Sequence, residues 1–181
     1  QSGAAFKQVS NNMITFGPGY TAGTPVAIRT QNTCPTLIAH NSVNMYGSYP
    51  SGACLYSYGI DSLMIYNNQF ANFGGQPAYV LGGTSNHIVS DNNNLYSSGT
   101  TLASDGTNNY GSIGGLSGGT GWDQNSVNVN PLYFSNDLLI PYATNIYDAG
   151  KPVPTVTLDY YGTVRSATTP DIGVYEGSAP A

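Results

Sequence analysis

An asparagine recurs at nearly constant spacing through the first half of the chain. It is found at Asn12, Asn41, Asn68 and Asn93, which lie 29, 27 and 25 residues apart. Two positions later every copy has an apolar residue: Ile14, Val43, Phe70 and Leu95. Glycine, proline, asparagine and serine separate the short apolar stretches and leave no room for a helix within a repeat. A repeat of about 20–50 residues built in this way is typical of a solenoid.

A second block runs in step with the first. Its copies alternate with period two and are Val26-Ala-Ile28, Ala53-Cys-Leu55 and Ala78-Tyr-Val80. The last residue of each copy precedes a repeated asparagine by 13 residues. If each strand lies on its copy in the next coil, the backbones pair in parallel about 4.8 Å apart and the asparagine amides stack. The sequence therefore predicts an all-β fold, a parallel β-helix of about four coils over residues 1–104.

The alternation also assigns side chains to faces. Three positions before the asparagine, the inward residues are Val9, Ile38, Ile65 and Ser90. The next position toward the N-terminus points outward and holds Gln8, Leu37, Met64 and Val89. An exposed apolar stripe of this kind marks a contact surface, and the alternative is a returning loop that covers it. Because the fourth coil fits the pattern less well, we expect a one-residue bulge near residues 87–89.

The asparagine repeat ends before residue 105. Residues 105–121 contain too many glycines for a long strand, so we expect a loop there. We expect residues 122–176 to cap the C-terminal end of the stack and residues 177–181 to form a linker. At the other end, Phe6 is a candidate for covering the first coil. The chain starts close to a strand, without the cap that a solenoid end needs, which suggests a processed chain or a fragment.

Charged residues are scarce in this chain. They make up 7% of the 181 residues, with a net charge of −5 and four Lys plus Arg, against about a quarter in ordinary globular domains. Four cations are too few for a basic patch, so we do not expect nucleic acid as a partner. No apolar run approaches the ~18–20 residues needed to cross a membrane. The two cysteines, Cys34 and Cys54, are compatible with a disulfide or with two separate thiols.

About the last 50 residues contain four motifs in a fixed order. They are Asn130-Pro-Leu-Tyr-Phe134, Ile146-Tyr-Asp148-Ala-Gly150, Asp159-Tyr-Tyr-Gly162-Thr-Val-Arg165 and Pro170-Asp-Ile-Gly-Val-Tyr-Glu176. This order is similar to the closing segment of secreted bacterial right-handed parallel β-helix proteins, the pectate-lyase-like or choice-of-anchor surface proteins. Two departures are Asn130, where the family has Asp, and residues 142–145, which replace its Ser-Pro-Ala. The resemblance implies right-handed winding, export and a bacterial cell-surface location, in many members through type IX secretion.

The densest group of ionisable residues lies in these motifs. Its members are Asp148, Asp159, Arg165, Asp171 and Glu176. An enzymatic interpretation makes two carboxylates an acid/base pair, as in glycoside hydrolysis. The structural interpretation pairs Asp159 with Arg165 across a turn, while Asp171 and Glu176 accept backbone N–H bonds. The resemblance favours this structural interpretation, because the segment recurs in proteins of many activities.

Other candidate sites are sparse. His40 and His87 occupy unlike repeat positions, so we expect separate turn or surface histidines and no two-histidine metal site. The oxygens of Asp105-Gly-Thr-Asn-Asn109 suit Ca²⁺, although an ordinary Asp-Gly turn explains the same residues. No other feature indicates a cofactor. The coils hold only Lys7 and Arg29 as cations, away from any group of carboxylates, so nothing resembles a polysaccharide-lyase site.

Tyrosine is the remaining functional signal, with 15 copies in the chain. The repeat register places Tyr56, Tyr66 and Tyr79 at outward positions. An aromatic platform beside neutral amides suits sugar rings, and tyrosine is also common at protein contacts. The alternative is a solenoid surface that carries a good strand-forming residue. These three tyrosines are the candidate ligand-binding residues.

The combined pattern favours a non-catalytic structural or adhesive module of a larger secreted cell-surface protein, which binds polysaccharide or partner proteins. The alternative is a polysaccharide lyase or glycoside hydrolase of the β-helix class. Such an enzyme needs carboxylates and a base together on one outward face, and the sequence offers no such group. Because uncapped strand edges associate readily, we expect the N-terminal coil to contact the upstream chain or another cell-surface protein.

Overall fold

A computed structural model describes residues 7–31, 34–59, 62–82 and 87–178, so Phe6 lies outside the described residues. The strands in these ranges are β1 (Lys7–Ser10), β2 (Met13–Phe16), β3 (Val26–Thr30), β4 (Thr36–Ala39), β5 (Ser42–Met45), β6 (Ala53–Tyr58), β7 (Leu63–Tyr66), β8 (Gln69–Asn72), β9 (Tyr79–Gly82), β10 (Ile88–Asp91), β11 (Asn94–Ser97), β12 (Ala103–Ser104) and β13 (Asn109–Tyr110). Two short helices follow: α1 (Ile113–Thr120) and a 3₁₀ turn (Thr144–Ile146).

The strands stack into three parallel sheets. Sheet A has the order β1-β4-β7-β10, and sheet B the order β2-β5-β8-β11. Sheet C has the order β3-β6-β9-β12, and β13 adds to β12 in antiparallel fashion. Each strand therefore lies on its copy in the next tier, and the chain completes about three turns of a β-solenoid. This arrangement confirms the predicted all-β parallel fold.

Apolar side chains of successive tiers fill the interior. Ile38 pairs with Ile65, and Val43 pairs with Phe70, all fully buried. The fourth tier continues this register without the expected bulge, because β10 pairs with β7 residue by residue. Ser90 therefore lies beside Ile65 and faces inward, where its Oγ accepts a hydrogen bond from Asn93 Nδ2 at 3.1 Å. An internal hydrogen bond, rather than a backbone irregularity, accommodates this polar residue.

The repeated asparagines form a ladder along the turn between sheets A and B. The Oδ1 of Asn68 accepts hydrogen bonds from the backbone N–H and the Nδ2 of Asn41, at 3.1 and 2.9 Å. Asn93 accepts the same pair of bonds from Asn68. Asn12 donates to Asn41 in the same way, although it is exposed at the end of the ladder. The prediction that Asn41 and Asn68 are buried and bonded to neighbouring coils is confirmed.

The glycine-rich segment differs from the expected loop, because part of it is α1. The Ser112 side chain accepts the Gly115 N–H at 3.1 Å and caps the first turn. Gly121 ends the helix in the left-handed conformation (φ 79°) and donates its N–H to the Ser117 carbonyl. Leu116 is fully buried in the main core cluster, and Ile113 packs against the same cluster. The two caps and this apolar anchor outweigh the low helix propensity of glycine, and α1 covers the C-terminal end of the stack.

The segment that follows was expected to cap this end, but most of it runs along the side of the solenoid. We name residues 122–178 the strap. After pairing with β11 near Val127, it reaches the first tier, where the Thr15 hydroxyl donates to the Asn136 carbonyl. It returns to the fourth tier at Asn92 and crosses again to the first tier at Asn11. The strap therefore covers the coils along sheet A, sheet B and the turn between them.

One row of residues holds the strap in place. Each member directly precedes a ladder asparagine and has a left-handed backbone with φ of 54–58°: Asn11, His40, Asn67 and Asn92. Asparagine and histidine tolerate this conformation better than most residues. Their side chains bond the strap backbone; for example, Asn67 Nδ2 donates to the Lys151 carbonyl at 2.6 Å. Each repeat therefore contains an adjacent pair: an outward residue that binds the strap, followed directly by an inward asparagine that joins the coils.

The strap also explains the outward apolar stripe. Leu37 is 4% exposed and packs with Val153 and Val156 of the strap, and Met64 joins the same cluster. The covering-loop alternative therefore holds for these two residues, while Val89 stays 49% exposed.

Cys54 is a fully buried free thiol, so the disulfide that the composition left open is not formed. Among the described residues, the helices are too short or too polar to be membrane spans.

Candidate functional site

Tyr79 does not lie on the outer surface where the repeat register placed it. It is fully buried, and its hydroxyl donates to Asp123 Oδ2 at 2.6 Å. Sheet C pairs Leu55 with Tyr79 and Tyr56 with Val80, so the true register differs by one residue from the expected one. A one-residue slip reverses which side chains face the core. The expectation for Tyr79 was wrong because the connection from β9 to Asn93 is one residue longer than its counterpart.

Tyr66 is on the outer face of sheet A, but it is covered. It is only half-buried as a residue, yet the Lys151 ammonium lies 3.5 Å from its ring centroid. The strap residues that follow Lys151 pass over the same face and pack on Leu37. The ring face that a sugar would use is therefore occupied by this internal cation–π contact.

Tyr56 lines an open groove, and the strap contributes no residue to the described lining of that groove. The groove lies on the outer face of sheet C and has a volume of about 440 Å³. It crosses three tiers, with contributions from Val26, Arg29, Ser51, Tyr56, Gln76 and Val80. Its walls combine an aromatic ring, aliphatic surface, a hydroxyl and an amide. We name it the axial groove, because it runs from tier to tier along the solenoid.

Arg29 sets the electrostatic character of the axial groove. Its guanidinium carbon lies 5.3 Å from the Tyr56 ring centroid, and the residue is exposed. Sheet C pairs Arg29 directly with Tyr56, so the two side chains share one outward row. The described lining of the groove contains no carboxylate and no histidine. Sequence reasoning missed Arg29, although its alignment with Tyr56 in the repeat was sufficient to find it.

The predicted cluster of ionisable residues in the strap is an internal hydrogen-bond network. Arg165 pairs with Glu176 at 3.2 Å, and not with Asp159 as expected. Asp159 accepts backbone N–H bonds from Tyr161, Thr163 and Glu176. Asp171 accepts from Asp148 and Gly177, and Glu176 accepts from Ser166 and Asp171, which confirms the expectation for those two acids. These carboxylates are occupied with holding turns.

Asp171 in the strap and His40 beneath it have displaced pKa values. Burial raises the pKa of Asp171 to about 6, against the opposing effect of its two backbone N–H donors. His40 lies in a turn, which is one of the two expected positions, but it is fully buried there, and burial followed by the charge of Arg165 lowers its pKa to about 3. Displaced pKa values can mark an active site. Here both groups are bonded to strap backbone, so the same displacement follows from a structural role.

The weak Ca²⁺ candidate at Asp105 is an Asp-Gly turn. Its carboxylate accepts the N–H groups of Thr107 and Asn108, the Asn108 amide and the Tyr110 hydroxyl. Burial acts to raise the pKa of Asp105, but these donors together bring it below its usual range. Within the described part of the chain, no three His, Cys, Asp or Glu side chains are arranged to hold a metal.

Asp123 is a structural residue that the sequence did not reveal. It is fully buried where the asparagine ladder ends, and its Oδ1 accepts from Asn93 Nδ2 and from the Ser126 hydroxyl. Together with the Tyr79 hydroxyl on Oδ2, these bonds satisfy the carboxylate. The Asn93 backbone N–H is accepted by the Ser126 hydroxyl at 2.8 Å, so Asp123 and Ser126 together supply the acceptors that a fifth asparagine would provide.

Comparison with known proteins gives no further assignment: no family model, no curated protein and no solved structure matches this chain.

Proposed function

We propose that this chain is a non-catalytic structural and adhesive module of a larger secreted protein on the bacterial cell surface, and that it holds carbohydrate in the axial groove. The observation that carries the proposal is the groove itself, in which Tyr56 and Arg29 lie side by side on a rigid sheet. Aromatic rings with polar groups beside them suit sugar rings. The C-terminal motifs, which resemble those of exported β-helix surface proteins, support the location and the export route, including type IX secretion.

The groove suits a saccharide better than an extended peptide. β6 pairs with β3 on one side and with β9 on the other, so its backbone groups are already bonded. A peptide strand that lies over β6 therefore cannot add main-chain hydrogen bonds, because among the described strands the one open edge beside the groove is that of β3, at the end of the stack. Sugar hydroxyls instead can use the side chains of Ser51, Gln76 and Arg29.

Binding measurements with purified chain test this proposal. We expect soluble polygalacturonate or a soluble neutral β-glucan to bind, and Tyr56→Ala to weaken that binding between about threefold and tenfold. Tyr58→Ala is the matched control, because Tyr58 is 51% exposed on the same strand but does not line the groove. Equal losses in both variants would reject the groove as the site.

The alternative function, a β-helix polysaccharide lyase or glycoside hydrolase, predicts a different result with the same polymers. Reproducible release of reducing ends or of unsaturated products would contradict the non-catalytic proposal. The absence of carboxylates from the described groove lining favours binding over cleavage.

We further propose that the first tier contacts neighbouring protein, either upstream chain or another surface protein. Within the described ranges, the outer edges of β1, β2 and β3 pair with no strand. The first-tier residues Val9 and Ile14 are only partly buried, whereas their copies Ile38 and Val43 are fully buried. Unpaired edges and apolar surface of this kind promote association. Mass measurement of the purified 181-residue chain in solution tests this, and a monomer with protected β1 amides would contradict it.

A further inference from the structure

Exposed apolar side chains are concentrated in the strap. Of the eleven large hydrophobic residues exposed among the described residues, eight lie between residues 132 and 164. Phe134 is 62% exposed and Val164 is 74% exposed. Single exposed apolar residues are ordinary, but a contiguous group marks an interaction site. The strap therefore has a surface that its role in covering the coils does not explain.

Aromatic rings make this surface continuous. Phe134 and Tyr142 have ring centroids 6.0 Å apart. The Tyr147 hydroxyl donates to the carbonyl of Pro141 at 2.6 Å, which joins the next ring to this pair. Tyr175 then contacts both Tyr147 and Tyr161 at 6.4 Å, and Tyr161 contacts Tyr160 at 5.2 Å. We name this set the aromatic surface: Phe134, Tyr142, Tyr147, Tyr160, Tyr161 and Tyr175.

The turn that presents the most exposed tyrosines is held firmly from behind. Asp159 Oδ1 accepts the N–H of Tyr161 at 2.8 Å and of Thr163 at 2.7 Å. Its Oδ2 accepts the N–H of Glu176, which ties the turn to the last part of the strap. Tyr160 and Tyr161 are 53% and 50% exposed on this fixed turn. A preorganised surface loses little conformational entropy when it binds.

The charges around the aromatic surface are negative. Six of the nine carboxylates but only two of the four cations belong to residues 122–178. Of these six, Asp123 is buried at the end of the asparagine ladder and Glu176 is paired with Arg165, which leaves four carboxylates in the strap. Both cations are used internally, since Arg165 is buried against Glu176 and Lys151 lies over Tyr66. Asp159 lies directly behind Tyr161, and the exposed Asp148 follows Tyr147 in the chain. Negative charge close to tyrosine rings adds to the attraction that the ring faces exert on cations.

We propose that the aromatic surface binds a polypeptide partner rich in lysine or arginine. The ring geometry favours a polypeptide over a sugar polymer, because the Tyr160–Tyr161, Tyr161–Tyr175 and Tyr147–Tyr175 pairs are edge-to-face at 78–85°. They form no flat platform on which a chain of sugar rings can lie. Exposed aromatic anchors that offer both faces and hydroxyls are instead typical of protein contacts. This site lies on the strap, and it does not depend on the axial groove of sheet C.

The test uses the whole chain and fluorescent peptides of repeated Gly-Arg, Gly-Glu and Gly-Ser. We expect binding of the Gly-Arg peptide alone, weakened by added salt. The double substitution Tyr160→Ala/Tyr161→Ala should weaken binding by about tenfold, which corresponds to two exposed cation–π contacts. Tyr160→Phe/Tyr161→Phe should retain most of it, because the ring faces remain. Tyr58→Ala is the matched control, with an exposure of 51% on another face of the molecule.

Several outcomes would overturn the proposal. Non-specific attraction to the net charge of −5 would leave Gly-Arg binding unchanged in the Tyr160→Ala/Tyr161→Ala variant. Equal binding of the Gly-Glu peptide, or an equal loss in Tyr58→Ala, would also reject it. If sedimentation shows that the chain self-associates and that the tyrosine substitutions abolish this, the occupant is a second copy and not a cationic partner. Because all substituted side chains are exposed, unchanged circular dichroism suffices to show that the variants fold.

Discussion

The coils and the strap are held together by different kinds of contact. In the coils, a residue contacts its own copy one tier away, as Ile38 contacts Ile65 and Asn41 contacts Asn68. In the strap, partners are unrelated in sequence, as when Asn11 donates to the Leu158 carbonyl 147 positions away. Repetition distributes stability over many equivalent neighbours. The strap depends on individual hydrogen bonds, on one buried ion pair and on the apolar contact of Val153 and Val156 with Leu37.

The same difference appears in what each region presents to solvent. The tiers bury their apolar rows and leave the axial groove as an open, mildly polar face. The strap covers Leu37 and Met64 of the solenoid but leaves its own aromatic side chains exposed. The coils therefore act as a scaffold that carries the axial groove, and the strap adds a surface of different chemistry.

The largest expected effect comes from removing the buried cation of the strap. Arg165→Met eliminates the ion pair with Glu176 and the bonds that Arg165 donates to Asn11 and to the Gly173 carbonyl. Breaking a buried pair by deleting one partner costs about 3–5 kcal/mol. Hydrogen exchange should show loss of protection in the strap while the amides of the coils keep theirs. Urea denaturation measures the change in the free energy of unfolding.

Arg29→Met is the matched control for this prediction. Arg29 is exposed in the axial groove, so its replacement should change the free energy of unfolding by less than about 0.5 kcal/mol. If Arg165→Met exposes the amides of β4 and β7 as fast as those of the strap, the two regions unfold as one unit, and the distinction between them is wrong.

An intermediate effect is expected inside the ladder. Asn68→Ala deprives the backbone N–H and the Nδ2 of Asn41 of their acceptor. It also removes the Nδ2 donor to Asn93 Oδ1, which keeps only the backbone N–H of residue 68. A buried group left unsatisfied costs about 1–3 kcal/mol. Asn12→Ala, at the exposed end of the ladder, should cost markedly less by thermal or urea denaturation. Similar losses at both positions would show that burial of the ladder contributes little.

The repeat could be predicted from the sequence, because residues that lie one repeat apart in a solenoid are in contact. Asn41 and Asn68 are 27 residues apart and lie in direct contact for that reason. The same arithmetic failed for Tyr79, where one additional residue in a connection reversed the face of the strand. When the connection between two strands varies in length, the sequence does not indicate whether the additional residue lies in the connection or shifts the register of the strand.

The strap could not be foreseen in the same way. The residue before each ladder asparagine is recognisable as a turn position, but nothing in His40 or Asn67 identifies Gly173 or Lys151 as its partner. The reason for a glycine at position 173 is also visible only in the structure. Gly173 has φ 102°, and a Cβ there would collide with the side chains of Gln69 and Ser42, so the strap can pass this close only with glycine. In the candidate site, Tyr56 was predicted and Arg29 was overlooked, since composition drew attention to tyrosine alone.

A more gradual effect, a pH dependence of stability, is expected at the contact between the two regions. His40 Nδ1 lies 3.3 Å from the Gly173 carbonyl, and its Nε2 lies 2.9 Å from Asn67 Nδ2. This pattern fits a neutral ring that donates from Nδ1 and accepts at Nε2. A second proton would face the Asn67 amide donor, which cannot rotate without losing its two bonds to the Lys151 backbone. Geometry and burial thus agree with the pKa of about 3.

The direction of the effect follows from linkage. Between pH 6.5 and about 3, His40 binds a proton in the unfolded chain but not in the folded chain. The stability that the neutral His40 ring contributes is therefore complete above pH 6.5 and is lost on acidification. The free energy of unfolding should fall by up to ~1.4 kcal/mol per pH unit, which amounts to about 2 kcal/mol between pH 6.5 and 5. Asp171 acts in the opposite sense. Its folded pKa of about 6 exceeds the ordinary 3.8, so its contribution is lost as pH rises toward 6.

Comparison with His40→Asn isolates the histidine, because Asp171 titrates in both proteins and cancels in the difference. Asparagine already occupies the equivalent position in the other three tiers and accepts the left-handed backbone. Urea denaturation at several pH values between 5 and 7.5 should show that the wild-type chain loses stability on acidification more steeply than the variant. Parallel curves would mean that His40 takes up a proton without strain, and that the strap does not depend on its neutral form.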